Sequence, residues 1–376
     1  MRSQVQQNRS IELFCGTGGL ALGLQKAGFH HTALYEWDKD SCDNIRANIQ
    51  AGYKGIESWN VHQADVRAVC YNGLSGKINM VSGGPPCQPF SMGGKAQAYN
   101  DKRDMFPEAV RAVREIMPEV FIFENVKGLL RKSFSLYFSY IILQLTYPSI
   151  QKPAGMTWEE HRELLEKHHT SSSHDDCEYN VVFRLLNAAD YGVPQLRHRV
   201  VIVGFRKDQN VNEFTYPTPT DTTKTFADIK EKNTVSAKYY LSTQYVKTLV
   251  AHKERHAAKG NGFGYEIIPD NGVANAIVVG GMGRERNLVI DNRLEDFTPV
   301  TNIKGEINRD GLRRMTPREW ARLQGFPDNF IIGVADASAY KQFGNSVAVP
   351  AIQATAQEII KRINLSKSKK YGTDRK

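Results

Sequence analysis

The sequence is poor in cysteine, and its cysteines form none of the patterns that disulfide frameworks or zinc sites need. Five cysteines are spread over 376 residues, and no two of them make a CxxC pair. An odd number of scattered thiols is typical of a protein that works in a reducing cytosol. We therefore expect a cytoplasmic protein that holds no metal.

Long apolar stretches are also lacking. No apolar run approaches the roughly 20 residues that span a bilayer, so we expect no contact with a membrane. Residues 1–10 are polar and predict no secretory signal. Hydrophobic residues nevertheless make up 41% of the chain, and its length predicts two domains or one large domain carrying a smaller one.

Acidic residues are fewer than basic ones, and the net charge is +9. Such an excess is a first indication of a nucleic-acid partner. However, residues 361–376 contain seven Lys or Arg and one Asp, so the tail alone carries six of these charges. We expect a solvated, frayed tail, and a groove for a phosphate backbone would have to come from local clusters elsewhere.

The first part of the chain alternates regularly between strands and helices. Strands are predicted at residues 10–14, 32–35, 61–66, 78–81 and 120–123, with helices at 20–27, 41–50 and 107–116. This rhythm predicts an α/β fold with a parallel, doubly wound sheet, in which ligands bind at the carboxyl ends of strands. Five residues of chemical interest fall at predicted strand exits: Gly16, Glu36, Asp65, Cys87 and Glu124.

The alternation of strands and helices is interrupted in two places. Residues 131–178 read as a helical insertion on the surface, and strands resume at 179–186 and 200–203. Residues 214–310 are rich in Thr, Pro, Gly and Asn and show no long helical period, which predicts a separate loop-rich domain. Helices at 316–325 and 349–363 are predicted to flank a glycine turn at 343–347.

A stiff loop around Cys87 follows the fourth predicted strand. Pro85, Pro86 and Pro89 restrict its backbone, so the loop could aim the thiol as a nucleophile. The alternative is a proline-rich turn with a structural cysteine, since free cysteine often serves as a small core hydrophobe.

The turn after the first strand fits the dinucleotide fingerprint G-x-G-x-x-G/A over residues 16–21, and Glu36 lies 20 residues beyond Gly16. Its glycines would let a ligand approach the helix N-terminus, and the carboxylate would hold ribose hydroxyls. A strand–helix turn without ligand remains open, as does the choice between NAD and an adenosine cofactor without pyrophosphate. Trp37 could stack on adenine or simply pack.

Each of the other polar residues of interest has two possible roles, one in a site and one on an ordinary surface. Glu124 could face the same crevice as Cys87 or be a surface carboxylate. Arg197 and Arg199 share one face of an extended segment and could hold a base or phosphate, or be solvated. The turn with Arg284 and Arg286 could read guanine, or be an exposed loop.

Taken together, these stretches resemble the DNA (cytosine-5)-methyltransferase family of the bacterial restriction-modification type. The resemblance rests on six motifs in the family's order: Phe14-Cys15-Gly16-Thr17-Gly18-Gly19, Gly84-Pro85-Pro86-Cys87-Gln88-Pro89-Phe90-Ser91, Glu124-Asn125-Val126, Gln195-Leu196-Arg197-His198-Arg199, residues 318–327, and Gly344-Asn345-Ser346-Val347. It implies a Rossmann-like S-adenosylmethionine methyltransferase domain (1–206 with 335–376) and a smaller target-recognition domain (207–334).

The resemblance also implies a mechanism. A cytosine is flipped out of duplex DNA, and the Cys87 thiolate attacks its carbon 6. Glu124 contacts N3 and the amino group, while Arg199, with Arg197, holds the base carbonyl. The implied cofactor contacts are Phe14, Cys15, Gly16, Thr17, Gly18, Gly19, Glu36, Trp37, Asp65, Val66, Gly84, Pro86, Asn345, Ser346 and Val347. The implied DNA contacts are Gln88, Ser91, Gln195, Arg284 and Arg286.

The chain departs from the family's pattern at two points. The insertion at 131–178 is longer than in compact members. The Thr-Leu pair of the recognition domain has two partial counterparts, Thr248-Leu249, which comes early, and Ala276-Ile277, which lacks the hydroxyl.

The implied setting is the bacterial cytoplasm near the nucleoid, with a monomeric enzyme, double-stranded DNA as partner and no metal. A cognate restriction endonuclease acting on the same site would go with a restriction-modification role, and a solitary methyltransferase is the other option. Three alternatives stay open at this point. They are a transfer-RNA cytosine methyltransferase, a non-catalytic DNA-binding relative, and an NAD-dependent dehydrogenase, which would explain the Gly16 turn but not the Cys87 loop.

Overall fold

The computed structural model describes residues 8–86, 104–171, 178–220, 222–280, 283–298, 300, 303 and 305–372, with side chains as far as residue 368. The chain divides into two compact units, Met1–Leu186 with His198–Thr218 and Ala351–Lys376, and Asn187–Arg197 with Pro219–Pro350. This division puts residues 187–197 and 335–350 in the second unit, whereas the predicted boundaries assign them to the catalytic domain. Cys87, Gln88 and Ser91 lie outside the described residues.

The strands are β1 (Asn8–Leu13), β2 (Phe29–Glu36), β3 (Val61–Gln63), β4 (Met80–Gly83), β5 (Val120–Val126), β6 (Tyr179–Asn187), β7 (Gln195–Leu196), β8 (His198–Arg206), β9 (Ala274–Asn275), β10 (Leu288–Ile290) and β11 (Leu312–Arg314). The helices are α1 (Gly19–Ala27), α2 (Lys39–Gln50), α3 (Phe106–Ile116), α4 (Ser135–Thr146), α5 (Trp158–Ser171), α6 (Thr243–Ala257), α7 (Pro317–Leu323), α8 (Asp336–Asn345) and α9 (Val349–Gly372). None of the described helices is long and apolar enough to cross a membrane.

One seven-stranded sheet organises the first unit, in the order β3-β2-β1-β4-β5-β8-β6. Its first five strands pair in parallel, as predicted. The alternation of strands and helices does not predict the direction of β8, which runs antiparallel to β5. A parallel crossover needs a dozen or more residues. Only residues 188–197 separate β6 from β8, so β8 enters the sheet in the opposite direction.

The predicted surface insertion is helical, but its first helix is not on the surface. Most side chains of α4 are buried and belong to the main hydrophobic core, together with residues of β5 and α3. The sequence of α4 is apolar on nearly every side, and a helix that lacks a polar face is usually buried. The helix therefore covers the sheet as part of the core.

The second unit contains more regular structure than its composition predicts. The 15-residue helix α6 contradicts the expectation that no long helix lies between residues 214 and 310. Its start is capped by Ser242, whose hydroxyl accepts the backbone N–H of Tyr245, while Leu249 is its only buried residue. With so narrow an apolar face, the helical period in the sequence is weak.

Two further expectations near the C-terminus need correction. Gly344 lies in the last turn of α8 and not in a glycine turn. A Cβ there would lie 2.7 Å from Val279 Cγ2, so close packing requires the glycine. The final helix continues to Gly372, nine residues beyond the predicted end at Ile363, so that part of the basic tail is helical.

Candidate active site

The order of the strands reverses between β1 and β4. These two strands are neighbours in the sheet although β2 and β3 lie between them in sequence. In open α/β sheets the crevice for a ligand lies at such a switch point, outside the carboxyl ends of the strands. The two backbones approach closely there, because a Cβ on Gly83 would lie 2.6 Å from the carbonyl oxygen of Leu13. The loops that follow β1 and β4 therefore border one crevice.

The loop after β1 adopts a backbone that few side chains tolerate. Phe14, Gly16 and Gly18 have φ values of 56°, 52° and 85°, all in the left-handed region. A Cβ on Gly16 would meet no atom within 4 Å, so this side of the loop is open. The loop leads directly into the N-terminus of α1, whose backbone N–H groups favour electron-rich ligand atoms.

Glu36, the last residue of β2, ties the neighbouring strand exit to this loop. Its Oε2 accepts the backbone N–H of Gly16 at 2.8 Å, and its Oε1 accepts those of Trp37 and Asp38 at 3.0 and 2.9 Å. Trp37 is 75% exposed and its ring is available to a ligand. A carboxylate can accept further hydrogen bonds, so Glu36 retains capacity for ribose hydroxyls.

Other predicted cofactor residues serve the loop itself. Thr17 is buried and its hydroxyl accepts the Asn44 amide at 2.9 Å. Cys15 is also buried, and burial together with nearby Glu12 raises the pKa of its thiol. Gly18 and Gly19 are buried at the start of α1.

Asp65 and Val66 follow β3 at the same edge of the sheet. Val66 is buried. Asp65 accepts the backbone N–H of Arg67 and forms an ion pair with the Arg67 side chain, which lowers the pKa of the carboxyl group. The Asp65 carboxylate is half-exposed, so it is accessible to a ligand as well.

The carboxyl end of β5 holds a carboxylate and a guanidinium in contact. Arg199 Nε lies 2.7 Å from Glu124 Oε1, and their side chains are 19% and 9% exposed. Burial lowers the pKa of Arg199, and the nearby Glu124 counteracts this. A Cβ on Gly84 would lie 3.5 Å from Glu124 Oε2, so the glycine leaves the carboxylate next to the loop that carries Cys87.

Asn125 makes a structural contact at this site that the sequence did not reveal. Its amide donates to the carbonyl oxygen of Pro85 at 2.9 Å, and its oxygen accepts the backbone N–H of Val126. The residue therefore holds the start of the Cys87 loop at the end of β5. The only signal in the sequence is its position directly after Glu124. Pro86, the last described residue of this loop start, is exposed.

Arg197 and Gln195 lie in the second unit and make structural contacts there. The Arg197 guanidinium is buried and donates to the carbonyl oxygens of Ile277, Gly344 and Ser346 at 2.9, 3.0 and 2.6 Å. Gln195 is buried as well, and its amide binds Leu323 O and Ile277 N. This geometry fits positioning residues, and their predicted contacts with base and DNA stay predictions.

The remaining predicted residues are accessible. Asn345 is exposed, and Ser346 and Val347 are half-buried. Arg284 is exposed with its guanidinium 5.3 Å from the centre of the Tyr340 ring, and Arg286 is half-buried near Glu266. Among the described residues no cluster of His, Cys, Asp or Glu has the arrangement of a metal site.

The chain matches a known protein family and its members over most of its length. The family model for C-5 cytosine-specific DNA methylase matches residues 8–147 and 155–361. Type II methyltransferase M.HpaII from Haemophilus parainfluenzae is 47% identical over 355 residues, covering 94% of this chain and 89% of that protein. Type II methyltransferase M.SsoII from Shigella sonnei is 32% identical, covering 95% and 81%.

Solved structures show the same fold at low identity. The Dnmt2 methyltransferase of S. pombe and the methyltransferase EhMeth of Entamoeba histolytica both have a TM-score of 0.62, with 15% and 17% identity. Each alignment covers 95% of this chain and 99% or 98% of the other.

The fold and the strand-exit loops thus define a Rossmann-like methyltransferase. The chain belongs to the C-5 cytosine-specific DNA methylase family, and its enzymatic class is DNA (cytosine-5)-methyltransferase.

Proposed function

We propose that this enzyme transfers a methyl group from S-adenosylmethionine to carbon 5 of a flipped-out cytosine in a short, specific sequence of duplex DNA, through a covalent adduct with Cys87. The observation that carries the proposal is the Glu124–Arg199 pair, held next to Gly84 at the start of the Cys87 loop. A nucleophile, a carboxyl group for the base edge and a cation for its carbonyl are what this reaction needs.

The residues at the switch point fit the cofactor. The open side of Gly16 would let the cofactor come close to the backbone of the loop. The Glu36 carboxylate would accept the ribose hydroxyls, and the exposed Trp37 ring would stack on adenine. When bound, S-adenosylmethionine supplies the electrophilic methyl group. Asn345, Ser346 and Val347 are further proposed contacts.

The protein's own groups carry the remaining chemistry. The Cys87 thiolate adds to carbon 6 of the cytosine, and Glu124, which takes up a proton before this step, delivers it to N3 as electrons move onto the ring. Arg199 keeps Glu124 in place and faces the base carbonyl. After carbon 5 has gained the methyl group, with the demethylated cofactor as leaving group, a base takes the carbon-5 proton, the N3 proton returns to Glu124, and the Cys87 thiolate leaves as the double bond between carbons 5 and 6 re-forms.

We also propose that the enzyme reads the same DNA sequence as its relative M.HpaII. What supports this is the 47% identity over 94% of the chain, which is far too extended to be confined to the catalytic motifs. The proposal includes a monomeric enzyme in the bacterial cytoplasm near the nucleoid and a cognate restriction endonuclease for the same site.

The test is methylation of mixed genomic DNA with radiolabelled S-adenosylmethionine, with a Cys87→Ser variant beside the parent. We expect label in 5-methylcytosine with the parent and none with the variant. Bisulfite sequencing of this DNA and of DNA treated with M.HpaII should then give the same site. Label only in transfer RNA, offered in a parallel reaction, would contradict the proposal, as would an inactive parent that binds DNA tightly.

A further inference from the structure

The segment that carries Cys87 is held at both ends by described residues. At its start, Pro85 O accepts the Asn125 amide at 2.9 Å. The backbone N–H of Met105 donates to Pro86 O at 3.1 Å, so residues 86 and 105 are joined although residues 87–104 separate them in sequence. The two ends of the segment therefore meet at the carboxyl end of β4.

Asp104 fixes the far end of this segment to two helices. Its Oδ1 accepts the backbone N–H of Phe106 at 3.1 Å, at the start of α3. Its Oδ2 accepts the hydroxyl group of Tyr137, which belongs to α4 and is only 3% exposed. A hydrogen bond to a charged acceptor is stronger than one between neutral groups, so this contact is well suited to hold a chain end.

The Tyr137 ring is itself held by α4 and α5. It lies 5.6 Å from the Trp158 ring at 80°, and 6.1 Å from the Tyr140 ring. Tyr140 donates its hydroxyl to His161 Nδ1 at 2.9 Å, and His161 Nε2 donates to Ile150 O at 3.2 Å. These contacts leave the Tyr137 hydroxyl little freedom of position.

We propose that α4 and α5 support the nucleophile segment, and that Tyr137 is a positioning residue for methyl transfer through its bond to Asp104. The inference rests on the proposed function of Cys87. Its physical basis is that a nucleophile reacts well only when its chain is held near the attack geometry, and small misplacements from distant changes cost large factors in rate.

A Tyr137→Phe variant tests this most directly, because it removes the hydroxyl and keeps the ring. We expect the single-turnover rate of methyl transfer to fall about tenfold, with the dissociation constant for S-adenosylmethionine unchanged. Tyr179→Phe is the matched control. It loses a buried hydroxyl that donates to Pro118 O at 2.8 Å and has no part in holding Tyr137, so it should keep the parental rate even if its thermal stability falls.

Substitutions of Asp104 provide an independent test of the inference. Asp104→Ala should slow the reaction like Tyr137→Phe, and the double variant should be no slower than Asp104→Ala alone. Asp104→Asn keeps one oxygen that can accept the Tyr137 hydroxyl but turns its NH2 group toward the Phe106 N–H, so it should restore only part of the rate. Penalties that multiply in the double variant, or a parental rate in Tyr137→Phe, would overturn the inference. An inactive parent would instead count against the proposed function.

Discussion

Replacing Arg199 by methionine removes the cation that faces Glu124 and keeps a long unbranched side chain. The carboxylate would then sit with 9% of its side chain exposed and without the partner now 2.7 Å away. Breaking a buried ion pair by removing one member costs about 3–5 kcal/mol. Arg199 itself is 19% exposed. We therefore expect the lower end, a loss of about 3 kcal/mol in the free energy of unfolding.

The matched variant is Arg199→Met combined with Glu124→Gln. It leaves no buried charge, so its stability should return to within about 1 kcal/mol of the parent. Its activity should not return, because an amide cannot deliver the proton to N3, and removing such an acid costs at least about 100-fold in rate. Urea unfolding followed by circular dichroism gives the stabilities, and single-turnover methyl transfer gives the rates.

Stability and activity are expected to respond differently in these variants, and two results would contradict this expectation. If the stability losses of Arg199→Met and Glu124→Gln simply add in the double variant, the two groups do not stabilise each other. If the double variant methylates DNA at more than a few per cent of the parental rate, Glu124 is not the acid.

Two further predictions concern the cofactor side of the sheet. Trp37→Ala should raise the dissociation constant for S-adenosylmethionine about tenfold without loss of stability, since its ring is exposed; unchanged affinity in calorimetry would exclude stacking on adenine. His31 is buried, accepts from Ser10 and donates to Ala21 O, and burial lowers its pKa from 6.5 to about 3. Below pH 6.5 the unfolded chain takes up this proton and the folded one does not, so stability falls with falling pH, by about 2–3 kcal/mol at pH 4.5. This loss of stability should be absent in His31→Gln. The raised pKa of buried Glu12 makes stability rise with falling pH in both proteins, so the difference between their stabilities isolates the effect of His31. Equal pH profiles of stability for the two proteins would disprove the role of His31.

The first five strands and the helices between them were predictable because each is a local pattern. The apolar runs, the glycine turns and the polar residues at strand exits all lie within short stretches of sequence. The paired contact between Glu124 and Arg199 was not predictable in this way. It depends on β8 lying beside β5, with Val126 opposite Arg199, a register between distant segments that no local pattern encodes.

Two of the expectations that failed share one physical cause, which is tertiary context. α4 looked like a surface insertion because it interrupts the strand–helix rhythm, yet its apolar sides are buried against α3 and the sheet. Gly344 looked like a turn residue because glycine usually marks turns. Its actual reason is the approach of Val279, which is far away in sequence.

The motif residues also divide into two kinds that sequence cannot separate. Thr17, Gln195 and Arg197 are buried and bind backbone or side-chain groups of the protein itself. Trp37 and Arg284 are exposed. A hydrogen-bonding group that already serves the fold is costly to redirect to a ligand, because its present partner would be left buried and unsatisfied. If every residue of a motif is taken as a ligand contact, the number of ligand contacts is therefore overestimated. In this enzyme Thr17, Gln195 and Arg197 serve the fold, whereas Trp37 and Arg284 are exposed and available for the proposed contacts with cofactor and DNA.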